Sequence, residues 1–486
     1  MFVGANEVVA LTRGGVRKCG MYSLASLDTS RRATMQCDWT PTIEITSKSR
    51  QYSKELTMHR IWTTPDLIWM IFTFLEGPLC HDSPEHRLVS SKGTFLNLAK
   101  TCRSFQEPAL DIIWAHLDSS KPLLDLVPDS ESVGDHWKGF KHRKQWESTE
   151  KYTARVQSLN FCRADPLYDI LIHWNHQETT RSPLLPKLRR LQYQHLAACE
   201  FPPIHVLAGQ SLRALHLRFH PHKLPDLRPL PELVSSWSDL EVFKIAGYGT
   251  RQENISIVSN LLYTASHLKE IRCEGITGEA TLAIAQLTSL KIVDIQPPLS
   301  EDNSLYACGT SSGLSPLFRN VRSARLTPSS VTHPFDGLRQ VSKFIHATRM
   351  MPTDLRIDLF GRPPRDVLAD FFSILSSNLA LEVLRVSPRD TLTWDVTRPP
   401  ACAVLNMDVL GPLLRLCNLR ELHLEVWYVY EFTDDSLQNF QAKWPRLEKL
   451  KLIAEACWCD RHHPPLSRDL FAWRERFQGC ESFLFL

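Results

Sequence analysis

The sequence predicts a small all-α module of three helices followed by an α/β solenoid, with about eleven parallel short strands joined by helical returns. Three observations support this. Apolar residues recur at helical spacing within residues 58–120, a six-residue apolar pattern repeats after residue 151, and a charged stretch lies between the two regions. The 486-residue chain also exceeds the size at which one hydrophobic core keeps growing, so we expect two parts.

The composition narrows the class of protein. The net charge of +3 gives no reason to expect nucleic acid or an anionic membrane as a partner. The thirteen cysteines are odd in number and scattered, and no secretory segment precedes them, so we expect reduced thiols in the cytoplasm or nucleus. No apolar run approaches the roughly 20 residues that span a bilayer. We therefore expect no nucleic-acid and no membrane partner.

Residues 1–57 contain arginines, few acids and only weak periodicity. This composition predicts a disordered N-terminal extension ahead of a second possible start at Met58. It also slightly resembles a transit peptide, which remains the alternative.

The first predicted helix lies in TTPDLIWMIFTFL, at Thr63–Leu75. Thr63 or Thr64 can cap it, Pro65 suits its first turn, and Asp66 suits the positive N-terminal end. A helix that is apolar on every side must be buried by its own domain or by a partner. Apolar residues cover almost every direction around this one: Leu67, Ile68, Trp69, Met70, Ile71, Phe72, Phe74 and Leu75.

A polar break, EGPLCHDSPEHRLVSSKGT, separates this helix from a second apolar segment at Phe95–Leu117. Helical spacing there predicts a second helix through Phe105, after which Pro108 restarts a third helix ending near Leu117. Three short helices within about 55 residues form only a marginal core. This favours burial of the remaining apolar surface of the module by a partner.

The two segments resemble an F-box, in particular the divergent kind found in large families of mushroom-forming fungi. That motif opens with Leu-Pro and an apolar helix, continues through a "Leu, small, Cys-Arg, aromatic" segment, and closes on a Trp near a Leu. Thr64 stands where the family usually has Leu, and the break between the halves is longer than usual. The matching positions are Pro65, Leu67, Ile68, Ile71, Leu75, Leu98, Cys102, Arg103, Phe105 and Trp114.

The resemblance implies that the 58–120 module binds the Skp-type adaptor of an SCF-type cullin–RING ubiquitin ligase and, through it, a cullin. Trp114 and the segment that follows would connect the module to the rest of the chain. The alternative is a three-helix cap on the larger domain. The adaptor-contacting residues implied by the resemblance are Pro65, Leu67, Ile68, Ile71, Leu75, Leu98, Cys102, Phe105 and Trp114.

The larger region repeats a pattern of apolar, two variable, apolar, one variable and apolar residues. The mean interval of about 29 residues lies at the top of the leucine-rich-repeat range, although single intervals run from 22 to 38. We therefore predict a leucine-rich-repeat domain over 151–486, an irregular horseshoe joined to the module by a linker at 121–150. The eleven hexamers begin at residues 156, 188, 212, 240, 268, 290, 321, 352, 381, 419 and 447.

The segments between the predicted strands carry amphipathic helices, clearest in 253–271, 278–293, 364–384 and 433–450. A strand followed by a helical return stacks into a parallel-strand solenoid. The Asn or Cys that usually follows such a strand is mostly missing, so we expect an uneven array. Such an array after an F-box resembles the leucine-rich-repeat class of F-box proteins.

Side chains alternate along a strand, so the variable residue between the last two apolar ones faces the concave, solvent side of the sheet. Six of these eleven residues are Lys or Arg and one is acidic, which favours an acidic or phosphorylated target protein. Some have acidic residues two positions away in their own strand and can pair there, as in Glu270–Arg272–Glu274. The better candidates for contacting a target lack such flanks: Lys244, Arg325, Arg385 and Lys451. The alternative is a merely solvated face with cationic stems covering apolar surface.

The familiar phosphate, dinucleotide, zinc-protease and serine-hydrolase motifs are absent from the sequence. CWCDRHH, at Cys457–His463, contains metal-ligand types without common structural-zinc spacing, so we expect a loop there rather than a zinc site. We thus expect no cofactor and no enzymatic activity, and interpret the chain as a substrate receptor of a ubiquitin ligase. The alternatives are a non-catalytic leucine-rich-repeat scaffold without a ligase role, and an enzyme with its site in the CWCDRHH loop.

Overall fold

A computed structural model of the protein places much of the chain from Thr64 to Phe485. The predicted extension at 1–57 and the Cys457–His463 segment lie outside the described residues. The structure describes residues 64–76, 84–126, 146, 148–177, 182–194, 201–220, 226–249, 251–298, 317–328, 336–361, 363–389, 404–426, 428–430, 432–453 and 482–485.

Three helices open the described chain: α1 (Pro65–Glu76), α2 (Pro84–Thr101) and α3 (Arg103–Ala115). Helix α2 includes much of the stretch predicted as a polar break, because Pro84 suits a first helical turn. The helix restarts after Cys102, whose backbone is extended, and not at Pro108, which lies inside α3. Pro108 lies in the second turn of α3, where it cannot donate the backbone hydrogen bond that another residue would make to the carbonyl of Ser104.

The rest of the described chain forms an α/β solenoid-like arrangement around one parallel sheet of thirteen strands, which lie in the order of the sequence. Strands β11 (Val404–Leu405) and β13 (Val429–Tyr430) form a separate parallel pair. The strands of the large sheet are β1 (His116–Leu117), β2 (Ser158–Cys162), β3 (Arg190–Gln194), β4 (Ala214–Arg218), β5 (Val242–Ala246), β6 (Glu270–Cys273), β7 (Ile292–Ile295), β8 (Ser323–Leu326), β9 (Asp354–Leu359), β10 (Val383–Pro388), β12 (Glu421–Glu425), β14 (Lys449–Ile453) and β15 (Ser482–Phe485).

Helices lie between many of these strands, as a parallel sheet requires. The four helices predicted from amphipathic segments are confirmed as α9 (Gln252–Thr264), α10 (Gly278–Ala285), α12 (Arg365–Leu375) and α14 (Asp434–Lys443). Thr433 caps the last of them with Ser436 in a capping box. The helices after α3 are α4 (Lys121–Leu124), α5 (Glu150–Thr153), α6 (Pro166–Gln177), α7 (Ile204–Leu207), α8 (Leu230–Ser235), α9 (Gln252–Thr264), α10 (Gly278–Ala285), α11 (Asp336–Thr348), α12 (Arg365–Leu375), α13 (Met407–Leu410) and α14 (Asp434–Lys443).

The register of the strands explains the sequence repeat. All eleven predicted hexamers are confirmed as strands β2 to β10, β12 and β14. The middle apolar residue of each hexamer pairs with that of the next, and no member of this buried row is more than 1% exposed. The row is Leu159, Leu191, Leu215, Phe243, Ile271, Val293, Ala324, Leu355, Leu384, Leu422 and Leu450.

The described chain has two hydrophobic cores. The small one lies among α1, α2 and α3, and the large one lies between the sheet and its helices. The sheet begins inside the range predicted as the helical module, because β1 follows α3 directly and pairs with β2. Within the predicted 121–150 linker, Leu123, Leu124 and Trp146 are buried in the large core. The described part of that segment therefore belongs to the first turn of the solenoid.

Candidate functional site

Helix α1 exposes an apolar stripe on one side. The stripe consists of Leu67, Met70, Ile71, Phe74 and Leu75, which recur at helical spacing and range in exposure from 37% at Leu67 to 84% at Phe74. We call these five residues the α1 stripe. Large apolar side chains grouped on one exposed face mark an interaction surface more often than single exposed ones do.

The small core uses only the neighbouring side of α1. Ile68 and Phe72 point inward and are 3% and 2% exposed. The Phe72 ring lies edge-on to Phe95 and to Phe105, with ring centroids 5.7 Å apart in both pairs. Three short helices have too little surface to cover a helix that is apolar on every side. The remaining apolar face of α1 is therefore left to solvent or to a partner.

The predicted adaptor-contacting residues divide between these two sides. Leu67, Ile71 and Leu75 belong to the α1 stripe, and Cys102 is exposed between α2 and α3. Ile68 lies in the small core, so its side chain does not face outward. Pro65 begins α1, but its side chain lies outside the described residues.

The other three predicted residues are partly buried. Leu98 and Phe105 pack against the small core. Trp114 packs instead against the large core and the ring of Tyr152, with ring centroids 5.0 Å apart. This position matches the prediction that Trp114 connects the two parts. It leaves Trp114 facing the solenoid and not the α1 stripe.

Sequence reasoning did not assign a role to four exposed apolar residues of this module. Trp69, Met70, Phe74 and Leu96 are 46%, 66%, 84% and 47% exposed, more than two of the predicted stripe residues. The sequence does show that α1 is apolar on every side. The family motif does not include these four positions, and only the structure shows which side of α1 the small core uses.

Helix α3 is tied to the first turn of the solenoid. The guanidinium of Arg155, which follows α5, donates hydrogen bonds to the carboxylates of Glu107 and Asp111 on α3. The Arg155 side chain is only 14% exposed, so these contacts are shielded from solvent on one side. Together with the contact between Trp114 and Tyr152, they hold α3 where it runs into β1.

The eleven variable positions of the hexamers, which include the four predicted target-binding residues, form one continuous row across the sheet. Each is paired in register with the next, as the sequence pattern predicts. We call this the central row, and the side of the sheet that carries it the polar face. The central row is Asn160, Gln192, His216, Lys244, Arg272, Asp294, Arg325, Arg356, Arg385, His423 and Lys451.

Three of the four cations proposed to lack acidic neighbours have one on the next strand. Lys244 pairs with Glu270 at 2.9 Å, Nη2 of Arg325 lies 2.6 Å from Asp358, and Arg385 binds Glu421 at 2.8 Å. The prediction concerned acids within the same strand, where these cations have none two positions away; the acids that they bind lie on adjacent strands. Each acid lies diagonally, one strand over and two residues along, a distance that long side chains span.

The fourth candidate, Lys451, forms no ion pair within the described ranges. The pairs predicted within single strands are present. Arg272 Nε lies 2.7 Å from Glu270, and Arg356 donates to Asp354 at 3.1 Å. Glu270 thus receives two cations, one from its own strand and one from β5.

These contacts shift the pKa values of the groups involved. Burial acts to raise the pKa of Glu270, but the hydrogen bonds from Lys244 and Arg272 outweigh it, and the pKa is lowered. For Asp294, burial dominates and the pKa is raised. Burial, together with Lys244 and Arg190, lowers the pKa of His216 to about 4. His216 is therefore neutral at neutral pH.

No helix among the described residues is both long and apolar enough to cross a bilayer. No three His, Cys, Asp or Glu side chains within those ranges are grouped so that they could hold a metal ion. The predicted loop at Cys457–His463 lies outside this part of the chain.

No protein-family model matches the chain, and no curated protein matches it in sequence. An assignment of function therefore depends on the motif resemblance and on the geometry of the α1 stripe and the polar face.

Proposed function

We propose that this protein is a non-catalytic substrate receptor of an SCF-type cullin–RING ubiquitin ligase. In this proposal the three-helix module is an F-box whose α1 stripe docks on the Skp-type adaptor. The solenoid is an irregular leucine-rich-repeat horseshoe whose polar face holds a target protein. The receptor acts by positioning, because holding the target beside the ubiquitin-loaded enzyme raises the local concentration of target lysines. Its place of action is the cytoplasm or nucleus.

The observation that carries the proposal is the exposure of the α1 stripe. Five large apolar side chains lie together on a helix whose neighbouring side already fills a small core. Each would gain about 1 kcal/mol or more by burial against a partner, at roughly 25 cal/mol per Å² of apolar surface. A second folded protein with an apolar groove is the occupant that this geometry suits.

The link between module and solenoid supports the positioning mechanism. Helix α3 runs directly into β1, and Arg155 bridges the first turn of the solenoid to Glu107 and Asp111. A direct connection of this kind fixes the angle at which a bound target is presented. A flexible linker would instead let the target sample many orientations.

Co-purification of the full-length protein with a Skp-type adaptor tests the proposal. We expect the unmodified protein to retain the adaptor and the double variant Met70→Asp/Phe74→Asp to lose it. Met351→Asp is the matched control, because Met351 is 48% exposed but lies in the solenoid. Failure of the unmodified protein to retain the adaptor would overturn the proposal, as would retention by the double variant.

A second candidate is a repeat-type interaction scaffold with no ligase role. The same α3 contacts favour it, because Trp114 and Arg155 make the module a cap on the first strands of the sheet. In that case the α1 stripe would bind no adaptor, and the Met70→Asp/Phe74→Asp variant would behave as the unmodified protein does in every interaction assay.

A further inference from the structure

The polar face divides into two regions of different charge. The residues two before and two after each member of the central row lie on the same face as that member. Strands β6 to β14 carry six Lys or Arg and seven Asp or Glu in the central row and at these positions. Strands β2 to β5 carry Arg190, Arg218 and Lys244 but no acid.

More positive charge lies where β3 and β4 begin. The backbone N–H of Arg213 donates to the carbonyl of Arg189 at 2.8 Å, so these two arginines are neighbours at the end of the sheet where the strands begin. The residue at the equivalent position before β5 is Glu241, whose backbone N–H donates to the carbonyl of Arg213 and whose side chain pairs with Lys269 at 2.9 Å. We call Arg189, Arg190, Arg213 and Arg218 the arginine patch.

The arginine patch differs from strands β5 to β10, where every cation of the central row is paired with an acid. Its four side chains are exposed, and within the described ranges none of them forms an ion pair. Elsewhere on the face, cations such as Arg325 and Arg385 are neutralised by an acid on the next strand. Four unpaired like charges on two adjacent strands repel one another, and an anionic partner relieves that repulsion.

We propose that the arginine patch is where the solenoid holds its target, and that the bound segment is an extended peptide rich in Asp and Glu. This inference rests on the proposed function and names its partner class. Arg190 and Arg218 lie on adjacent strands and four residues apart along them, so their Cα atoms are separated by about 14 Å. A run of about four extended residues spans that distance, and a single phosphate group does not.

The side chains between these arginines suit an extended peptide. Gln192 lies between Arg190 and Arg218 along the strands, and Gln194 lies directly beside Arg218 on the same face. Their amides can donate to and accept from a peptide backbone. Single-stranded RNA is the less favoured occupant, because bases bind by stacking on exposed aromatic rings. The described aromatic side chains of this region, Tyr193 and Phe219, are 0% and 4% exposed.

Binding of a fluorescein-labelled decaglutamate peptide to the full-length protein, followed by fluorescence anisotropy, tests the inference. We expect Arg190→Ser/Arg218→Ser to weaken binding by about tenfold, because two charge contacts are lost. The matched control is Arg339→Ser/Arg365→Ser, which removes the same charge from two exposed arginines that lie on helices α11 and α12 and not on the polar face. We expect the control to change the affinity by less than about twofold.

Three results would overturn the inference: no binding by the unmodified protein, equal weakening in the two double variants, or tighter arginine-dependent binding of a labelled oligouridylate. The same variants separate this inference from the proposed function. Arg190→Ser/Arg218→Ser should still co-purify with the adaptor, and Met70→Asp/Phe74→Asp should still bind the peptide. If the peptide binds and the adaptor does not, the ligase role fails while the acidic-peptide site stands.

Discussion

Arg385 on β10 holds Glu421 on the neighbouring strand β12 through two parallel hydrogen bonds. Nε of Arg385 lies 2.8 Å from one carboxylate oxygen of Glu421, and Nη2 lies 3.0 Å from the other. The two residues are 36 positions apart in the chain, and both side chains are largely shielded from solvent. The pair thus joins consecutive turns of the solenoid across its polar face.

A double-mutant cycle on this pair should detect the coupling. We expect Arg385→Gln and Glu421→Gln each to lower the free energy of unfolding by about 1 kcal/mol, because the bidentate geometry and partial burial make the pair stronger than an ordinary surface ion pair. The double variant should lose less than the two single variants combined. Urea denaturation measures all three, and strictly additive losses would show that the two side chains do not stabilise each other.

This pair also shows where sequence reasoning ends. The buried row could be predicted, because each hexamer repeats the apolar spacing that its own strand requires. The partners of Lys244, Arg325 and Arg385 could not, because each acid lies 26 to 36 residues away on another strand. Intervals of 22 to 38 residues between repeats hide which residues become diagonal neighbours. The sequence therefore predicts the row of cations but not the acids on adjacent strands that pair with them.

The three-helix module also has features that the sequence predicts and features that it does not. Its three helices and the apolar character of α1 could be predicted, but the start of α2 could not, because its first half carries little apolar periodicity. Nor could the sequence separate Phe72, which is buried, from Phe74, which is exposed. A helix that is apolar all round presents no polar side from which its orientation can be inferred.

Glu270 should make the free energy of unfolding fall as the pH is lowered. The pKa of this carboxylate is lowered in the folded state by Lys244 and Arg272, so at acid pH the unfolded chain binds the proton more readily. The contribution is complete above the ordinary glutamate pKa and is lost as the pH falls through the lower, folded pKa. We expect Glu270→Gln to flatten the acid side of the stability curve measured by urea denaturation from pH 3 to 7.

Glu253→Gln is the control for this measurement, because Glu253 is exposed on α9. Removing an exposed carboxylate should leave the slope between pH 3 and 5 close to that of the unmodified protein. If Glu253→Gln and Glu270→Gln flatten the curve equally, the acid dependence does not come from the cations around Glu270.

Two glycines should respond oppositely to alanine. Gly247 has a positive φ of 79°, and a Cβ there would lie 1.9 Å from the carbonyl oxygen of Phe219, so Gly247→Ala requires the backbone to move. We expect it to cost about 2 kcal/mol or more in the free energy of unfolding. Gly93 lies inside α2, and a Cβ there meets no atom within 4 Å. Gly93→Ala should therefore stabilise α2 by up to about 1 kcal/mol.

Circular dichroism during thermal unfolding distinguishes the two. A lowered midpoint is expected for Gly247→Ala, and an unchanged or raised midpoint for Gly93→Ala. An unchanged midpoint for Gly247→Ala would mean that the turn after β5 adapts to the added methyl group.

The bridge at Arg155 should hold α3 on the solenoid. Replacing Arg155 with Met keeps much of the apolar stem but removes the donors to Glu107 and Asp111, and we expect a loss of about 1–2 kcal/mol. Because the contacts are local, amide hydrogen exchange should accelerate in α3 more than in α12, which lies far along the chain. Equal acceleration in both helices would indicate global destabilisation rather than release of the module.

Two phenylalanines of α1 separate folding from docking. Phe72 is 2% exposed and contacts Phe95 and Phe105, whereas Phe74, two residues later, is 84% exposed. We expect Phe72→Ala to destabilise the module by about 3 kcal/mol or more, because it leaves a cavity in a small core. Phe74→Ala removes an exposed ring and should change stability by less than about 0.5 kcal/mol.

The two variants should weaken adaptor binding for different reasons. Phe74→Ala should weaken it at unchanged stability, because the ring belongs to the surface that docks, and Phe72→Ala should weaken it only through unfolding of the module. Proteolysis of the module, followed alongside adaptor co-purification, measures both effects on the full-length protein. A stable Phe74→Ala variant with full adaptor affinity would mean that the α1 stripe, despite its exposure, is not the surface that an adaptor contacts through this ring.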